Sequence, residues 1–241
     1  MVSYKKYLDI EIFEGELSKH QYPWHFHNSY TIVIVERGSI TYDLQETQIK
    51  VGEAEAFIIA PFKVHKNSIS EHTIYKAVFV PSEYLELAGH NKFGTRKLSH
   101  KMASEGITDL LVKLEQNHSK KDVNDFVFRL CELINYVKSD DRAVSPAGIS
   151  TVPKIDFSLP IKFLAEDAHL SRFYFQRKFK KDCGLTIGQL KQQEKSMKAK
   201  ALLETGKSPT DVAYELGFFD QSHFIKYFKK MWVVTPKYFK K

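Results

Sequence analysis

Cysteine is scarce: Cys131 and Cys183 are the two in 241 residues. They lie far apart and without metal-ligand spacing, which excludes a disulfide framework and a thiolate metal site and suits buried thiols in a reducing compartment. Long apolar runs are missing, and no stretch approaches 18 residues, so no membrane-spanning helix is expected. The opening stretch MVSYKKYLDIEIFEGEL has no long apolar core, so no signal peptide is expected either. The sequence also lacks a glycine-rich phosphate loop, a nucleophile elbow and paired carboxylates at a useful spacing. No catalytic residue, no cofactor and no enzymatic activity are therefore expected. A soluble, cytoplasmic protein of two modest domains fits the length.

Charge is abundant but unevenly placed. Residues 1–138 hold 17 Lys+Arg and 18 Asp+Glu, whereas residues 139–241 hold 19 and 11. The formal net charge of +7 thus belongs to the carboxy-terminal part. A polyanion contacted by one domain would produce that split, although solubility alone could.

Residues 208–239 read as a helix–turn–helix. Ser208 is a good N-cap and Pro209 suits the first helical position. Val212, Ala213 and Leu216 fall on one apolar face, and Gly217 ends that helix near Leu216. Asp220 caps a second helix over about Gln221–Lys230. Phe224 and Phe228 lie four apart and point inward. Gln221, Ser222, Ile225 and Lys226 form the other face, with Lys229 and Lys230 at the end. A short polar face beside basic residues suits a helix laid in a major groove.

The same pattern occurs earlier, in residues 159–187. Ile161, Leu164 and Ala165 form one inner face. Ser171 then caps a helix whose Phe175 and Phe179 point inward. Ser171 corresponds to Asp220, Phe175 to Phe224, Arg177 to Lys226, Phe179 to Phe228 and Thr186 to Thr235. An internal repeat argues against coincidence. A helix over 187–203 joins the copies, and at 1.5 Å per residue it spans roughly 26 Å. The two outer helices can then reach successive major grooves, about 34 Å apart. Lys191, Lys195 and Lys198 form a basic stripe on this rod, facing phosphates or solvent.

Asp211-Val-Ala213, Gly217-Phe218, Ser222, Phe224, Phe228-Lys-Lys230, Thr235-Pro236 and Tyr238 together resemble the AraC/XylS family of bacterial transcription regulators. The resemblance covers about residues 159–241. It implies an all-α domain with two helix–turn–helix units that bind adjacent major grooves of double-stranded DNA, and nucleoid association when bound. Carried over by position, the DNA-facing residues are Arg172, Phe173, Gln176, Arg177 and Lys180 in the first unit. In the second they are Gln221, Ser222, Ile225, Lys226, Lys229 and Lys230. Arg177 suits a bidentate guanine contact, Gln176 and Gln221 suit adenine, and Phe173 suits a thymine methyl; each could instead contact phosphate or lie exposed. The sequence departs from the family at Val233, where Gly is usual, at Lys195, where Arg is usual, and at Ile187, where Pro is usual. The helix that ordinarily precedes Leu159 would fall on SPAGISTVP, a poor helix. It is therefore missing or displaced into 123–138.

Residues 7–80 alternate apolar and polar positions in short runs with turn signals, which predicts a β-sandwich or small barrel. SYTIVIVERG is the strongest strand, and breaks fall at Gly38, Gly52 and Pro61. The order His25-Phe26-His27, strand, Gly38, Gly52, then Pro61 and His65 looks like a cupin barrel. That likeness implies a pocket for a small effector, with Trp24, His25, His27, Tyr42 and His65 as candidate lining. Trp24 and Tyr42 suit a place in the core equally well. Metal cupins add a Glu that would fall near Thr31 or Ile32, and neither replaces it. Three imidazoles can hold zinc, but the lost carboxylate leads us to expect no metal. The histidines then serve as polar lining, as fold-defining residues or as hydrogen-bond partners of an effector.

SEYLELA predicts a short helix, and 90–104 reads as a polar, basic loop. Two amphipathic helices follow, over 105–118 and 122–138. Their stripes need a partner, and the family resemblance implies that 105–138 forms a homodimer. The expected layout is α+β: a cupin-like barrel (1–104), a helical dimerisation segment (105–138), a linker (139–158) and a double helix–turn–helix domain (159–241). The whole reads as a regulator, with activation the commoner mode in the family and RNA polymerase a candidate partner. Rival readings are a regulator without a small ligand and a metal cupin enzyme with an appended DNA module.

Overall fold

The computed structural model describes residues 1–45, 47–87, 93–98, 101–117, 119–137 and 159–240. The expected linker, 139–158, and the weak SPAGISTVP stretch lie outside them. The chain divides into two compact units: Met1–His20 with Phe26–Ser150, and Gln21–His25 with Thr151–Lys241.

The first unit is antiparallel β-structure with helices. Its strands are β1 (Val2–Tyr7), β2 (Ile10–Leu17), β3 (His20–Gln21), β4 (Ser29–Arg37), β5 (Ser39–Asp43), β6 (Gln48–Gly52), β7 (Ala56–Ile59), β8 (Lys66–Ile69) and β9 (Thr73–Pro81). Then come α1 (Ser82–Leu87), β10 (Arg96–Leu98), α2 (Lys101–Gln116) and α3 (Lys120–Tyr136). A six-stranded sheet runs in the order β1-β2-β9-β4-β7-β10, and a four-stranded sheet in the order β3-β8-β5-β6.

Strand β4 explains how these layers stack. Side chains alternate across a strand, so Tyr30, Ile32 and Ile34 join one apolar cluster while Val33 and Val35 join another. The first cluster also holds Ile107, Leu111 and Leu114 of α2 and Val123, Phe126, Val127, Leu130 and Ile134 of α3. The second holds Tyr42 and Val51 of the four-stranded sheet with Phe57 and Tyr75. One face of the six-stranded sheet therefore carries the helices, and the other closes the barrel interior. Burial on both faces is why β4 reads as a continuous apolar run. At Gly38 (φ 78°) the chain turns from β4 into β5. A Cβ there would stand 2.4 Å from the His72 carbonyl oxygen, so only glycine fits.

Several boundaries differ from the sequence reading. β1 is an edge strand of mostly half-buried residues, paired from Val2↔Gly15 to Tyr7↔Ile10. Its lysines and tyrosines mask the alternation. β10 lies within the stretch expected to be a loop, with Leu98 fully buried and paired to Ala56. Three residues are too few to show a period. α2 starts at Lys101, four residues early, where the Ser104 hydroxyl lies 3.0 Å from the Ala54 carbonyl oxygen. α3 starts at a capping box in which Ser119 and Asp122 satisfy each other's backbone N–H groups. Because α3 supplies core to the sheet unit, it is not a displaced first helix of the carboxy-terminal domain; that part of the expectation is corrected.

The second unit is all-helical: α4 (Ile161–Asp167), α5 (Arg172–Cys183), α6 (Ile187–Glu204), α7 (Pro209–Glu215) and α8 (Gln221–Trp232), ending in a 3-10 turn over Pro236–Tyr238. Ser171, Thr186, Ser208 and Asp220 each accept a backbone N–H at a helix start, which suits residues of these types. α8 runs two residues beyond the expected end. Phe224 and Phe228 are fully buried, and Trp232 donates its indole N–H to Ser196 Oγ of α6 at 2.7 Å. The buried Lys200 ammonium lies 4.9 Å from the Trp232 ring centroid and 5.3 Å from that of Phe239. α6 is thus clasped by the helix pair that follows it.

Candidate nucleic-acid interface and barrel interior

In α5, Phe175 and Phe179 anchor the helix from within. Arg172, Phe173, Arg177 and Lys180 are left exposed, and Gln176 half-buried. In α8, Phe224 and Phe228 do the anchoring. Gln221, Ser222, Lys226, Lys229 and Lys230 are exposed, and Ile225 is half-buried. Every residue expected to face DNA therefore lies off the fully buried face of its helix, and all but Lys230 pair by position across two N-capped helices. Two details were hidden in the sequence. The Gln221 side-chain amide lies 3.0 Å from Thr210 Oγ1 of α7. The rod's basic stripe is partly spent on packing: Lys191 Nζ lies 2.6 Å from the Leu159 carbonyl oxygen, and Lys195 Nζ lies 5.3 Å from the Phe218 ring centroid.

His25, His65 and Tyr42 are buried, and His27 is half-buried. The His27 and His65 rings are 5.5 Å apart, and the Tyr42 and His65 rings 6.1 Å apart. His27 also meets Phe79 at 4.9 Å, and Tyr42 meets Phe57 at 4.8 Å. Nδ1 of His25 lies 2.8 Å from the Pro23 carbonyl oxygen, and Nδ1 of His65 lies 2.8 Å from that of Lys63. A carbonyl only accepts, so each Nδ1 carries a proton. Burial lowers the His25 pKa to about 4, which keeps its ring neutral. The ligand atoms of His25, His27 and His65 lie within 4.8 Å of one another. A cation here would find imidazole nitrogen and no carboxylate from this trio. Trp24 is half-buried and lines a small cleft with Gln189, Gln192, Tyr227 and Met231.

Two residues belong to these sites that the sequence reading did not count among them, Thr31 having been weighed only as the place of a missing Glu. Thr31 is 3 % exposed, and its Oγ1 has no hydrogen-bond partner among the described residues. Its place two residues before Val33 on β4 puts it on the barrel-facing side, a placement the alternation alone could have given. Tyr174 lies against Arg177, and its spacing of three residues was the available signal. Between α2 and α3 runs a groove of about 730 Å³, whose lining includes Gly106, Asp109, Lys113, Arg129, Glu132 and Leu133.

Comparison with known proteins agrees with this arrangement. Residues 7–120 match the description "AraC-like ligand binding domain", and residues 164–241 match a helix-turn-helix domain. The uncharacterized HTH-type transcriptional regulator YbfI of Bacillus subtilis strain 168 is 27% identical over 237 residues, covering 90% of this chain and 86% of that protein. The HTH-type transcriptional activator RhaS of Escherichia coli strain SE11 is 24% identical, covering 93% and 89%. Among solved structures, ToxT from Vibrio cholerae O395 shares the fold with a TM-score of 0.57 at 13% identity, covering 97% of this chain and 96% of that one. ToxT from strain SCE256, solved with an unsaturated fatty acid bound, gives a TM-score of 0.58 at 13% identity, covering 98% and 95%. A ligand-binding β-domain followed by a helix–turn–helix domain defines a transcriptional regulator. This chain is one, and it belongs to the AraC family. No helix among the described residues is long and apolar enough to cross a membrane.

Proposed function

We propose that this regulator reads two adjacent major grooves of one operator through α5 and α8, and that a small effector in the barrel sets its DNA affinity. The observation that carries the reading is the pair of equivalent N-capped helices, each anchored by two phenylalanines and each presenting basic and polar side chains outward. Lysine and arginine neutralise phosphates and release counterions, so affinity falls steeply with salt. Base edges are read by Arg177 and Gln176, and Gln221, Ser222, Ile225 and Lys226 form the second contact with the duplex. An effector acts only if it binds one domain arrangement better than another. Its pocket is the barrel interior around His25, His27, His65, Tyr42 and Thr31. Fatty acids are the first compounds to titrate, because ToxT carries one. The chain is not an enzyme and acts in the cytoplasm, on the nucleoid.

The protein functions as a homodimer through α2 and α3. The groove between them sets Asp109 and Glu132 beside Lys113 and Arg129, a self-complementary pattern that a two-fold axis can pair. Activation, as in RhaS, would place RNA polymerase beside the bound dimer. Footprinting with full-length protein tests the reading. Protection over two successive helical turns of one duplex, altered by an effector, is expected. Protection of one turn only would remove one of the two contacts. Affinity unmoved by every compound would leave a ligand-independent regulator.

A further inference from the structure

The two reading helices are equivalent in sequence but differently furnished. In α5 the Arg177 guanidinium carbon lies 5.9 Å from the Phe173 ring centroid and 5.7 Å from that of Tyr174. Both rings face solvent, with Phe173 74 % and Tyr174 45 % exposed. Nothing in packing calls for two aromatics on this face, since Phe175 and Phe179 already fill the inner one. The equivalent places in α8 hold Ser222, His223 and Lys226. Serine has no ring, and the His223 ring packs on Phe218 at 5.7 Å. Gln221 is in turn drawn back toward Thr210.

These differences have chemical consequences. A guanidinium is planar, with donors in a fixed fork, and it pairs bidentately with guanine O6 and N7. A free arginine side chain must give up much rotamer freedom to do so. Rings at three and four residues before it hold the guanidinium near one place and reduce that cost before DNA arrives. Lysine is a mobile point charge that suits phosphate equally well on any sequence.

We propose that the two units divide the labour. The first unit discriminates sequence through an arginine pre-oriented by Phe173 and Tyr174, and the second contributes mainly sequence-independent affinity. Phe173 and Tyr174 are positioning residues that act through Arg177. The inference rests on α5 entering a major groove, as proposed above.

Selection of binding sites from a randomised duplex pool by full-length protein, followed by titration on the best site and its single-base variants, tests the division. Arg177→Ala should reduce the preference for guanine at one position about tenfold or more. The double variant Phe173→Ala/Tyr174→Ala should reduce that same preference about two- to fivefold. It should leave the salt slope as it was, because neither ring carries a charge. Tyr174→Phe keeps the ring and should keep the preference. Lys226→Ala should weaken every duplex alike and lower the salt slope by about one. The inference is overturned if the ring-less variant keeps full preference while Arg177→Ala loses it. It is also overturned if Lys226→Ala relaxes a base preference as strongly as Arg177→Ala. If Arg177→Ala changes neither affinity nor preference on any duplex, the groove reading of α5 itself fails. All altered side chains are exposed, so a melting curve suffices to verify folding.

Discussion

Gly184 and Val233 occupy the same place in the repeat, one residue past each reading helix. Both are left-handed, with φ 74° and ψ −14° at Gly184 and φ 66° and ψ −23° at Val233. Each N–H returns to a helix carbonyl, of Lys180 and Lys229 respectively. Glycine enters this region without strain, whereas a β-branched residue crowds its own carbonyl at a cost of about 1–2 kcal/mol. The second unit therefore tolerates a strained cap that the first does not carry.

Replacing Val233 by glycine should stabilise the second unit by about 0.5–1 kcal/mol, once the extra freedom of glycine in the unfolded chain is subtracted. Gly184→Val should destabilise the first by about 1–2 kcal/mol. Thermal melts of the two variants check both signs. A lower melting temperature for Val233→Gly would show that the valine side chain contributes more packing than its backbone costs.

Stability should fall with acidity because of His25. Its folded-state pKa is depressed to about 4 by burial, against about 6.5 in an unfolded chain. Between those values the unfolded state binds the extra proton, so stability rises with pH across that window and levels off above it. The depression corresponds to roughly 3 kcal/mol, lost as pH falls from about 6.5 to about 4. Urea denaturation at several pH values, with chelator present, measures the slope. His25→Gln should flatten it; an unchanged slope would place the responsible group elsewhere.

Thr31 offers a test of the barrel. Its buried hydroxyl oxygen has no hydrogen-bond partner among the described residues. Thr31→Val keeps the shape and removes that unpaired group, so the ligand-free protein should gain about 1 kcal/mol. The same variant should respond less to any effector that hydrogen-bonds there. A loss of stability in the ligand-free protein would mean that the hydroxyl is already satisfied.

What could be read before the structure follows from how each signal arises. The double helix–turn–helix was legible because caps and phenylalanine pairs recur at a fixed offset, as with Ser171 and Asp220 and with Phe175 and Phe224. Strand β4 was legible because burial on both faces leaves an unbroken β-branched run from Thr31 to Val35. β10 was not, because a three-residue edge strand has no period. The start of α2 at Lys101 was hidden because its first turn buries only the small side chains of Ala103 and Ser104, and Ser104 is held through a tertiary bond to Ala54. In the barrel, the histidines were found by type and order. Their orientation depends on backbone carbonyls of Pro23 and Lys63 that no side-chain pattern announces. Tyr174 went unread because an outward ring carries no burial signal.

The clasp on α6 has a practical corollary. The chain has two tryptophans, Trp24 and Trp232. Trp232 is tied to Ser196 and lies beside Phe228 and Lys200. In a Trp24→Phe background the tryptophan emission, excited beyond the tyrosine absorption band, comes from that one indole. Its wavelength would follow the opening of the carboxy-terminal helices optically, whatever the β-domain is doing.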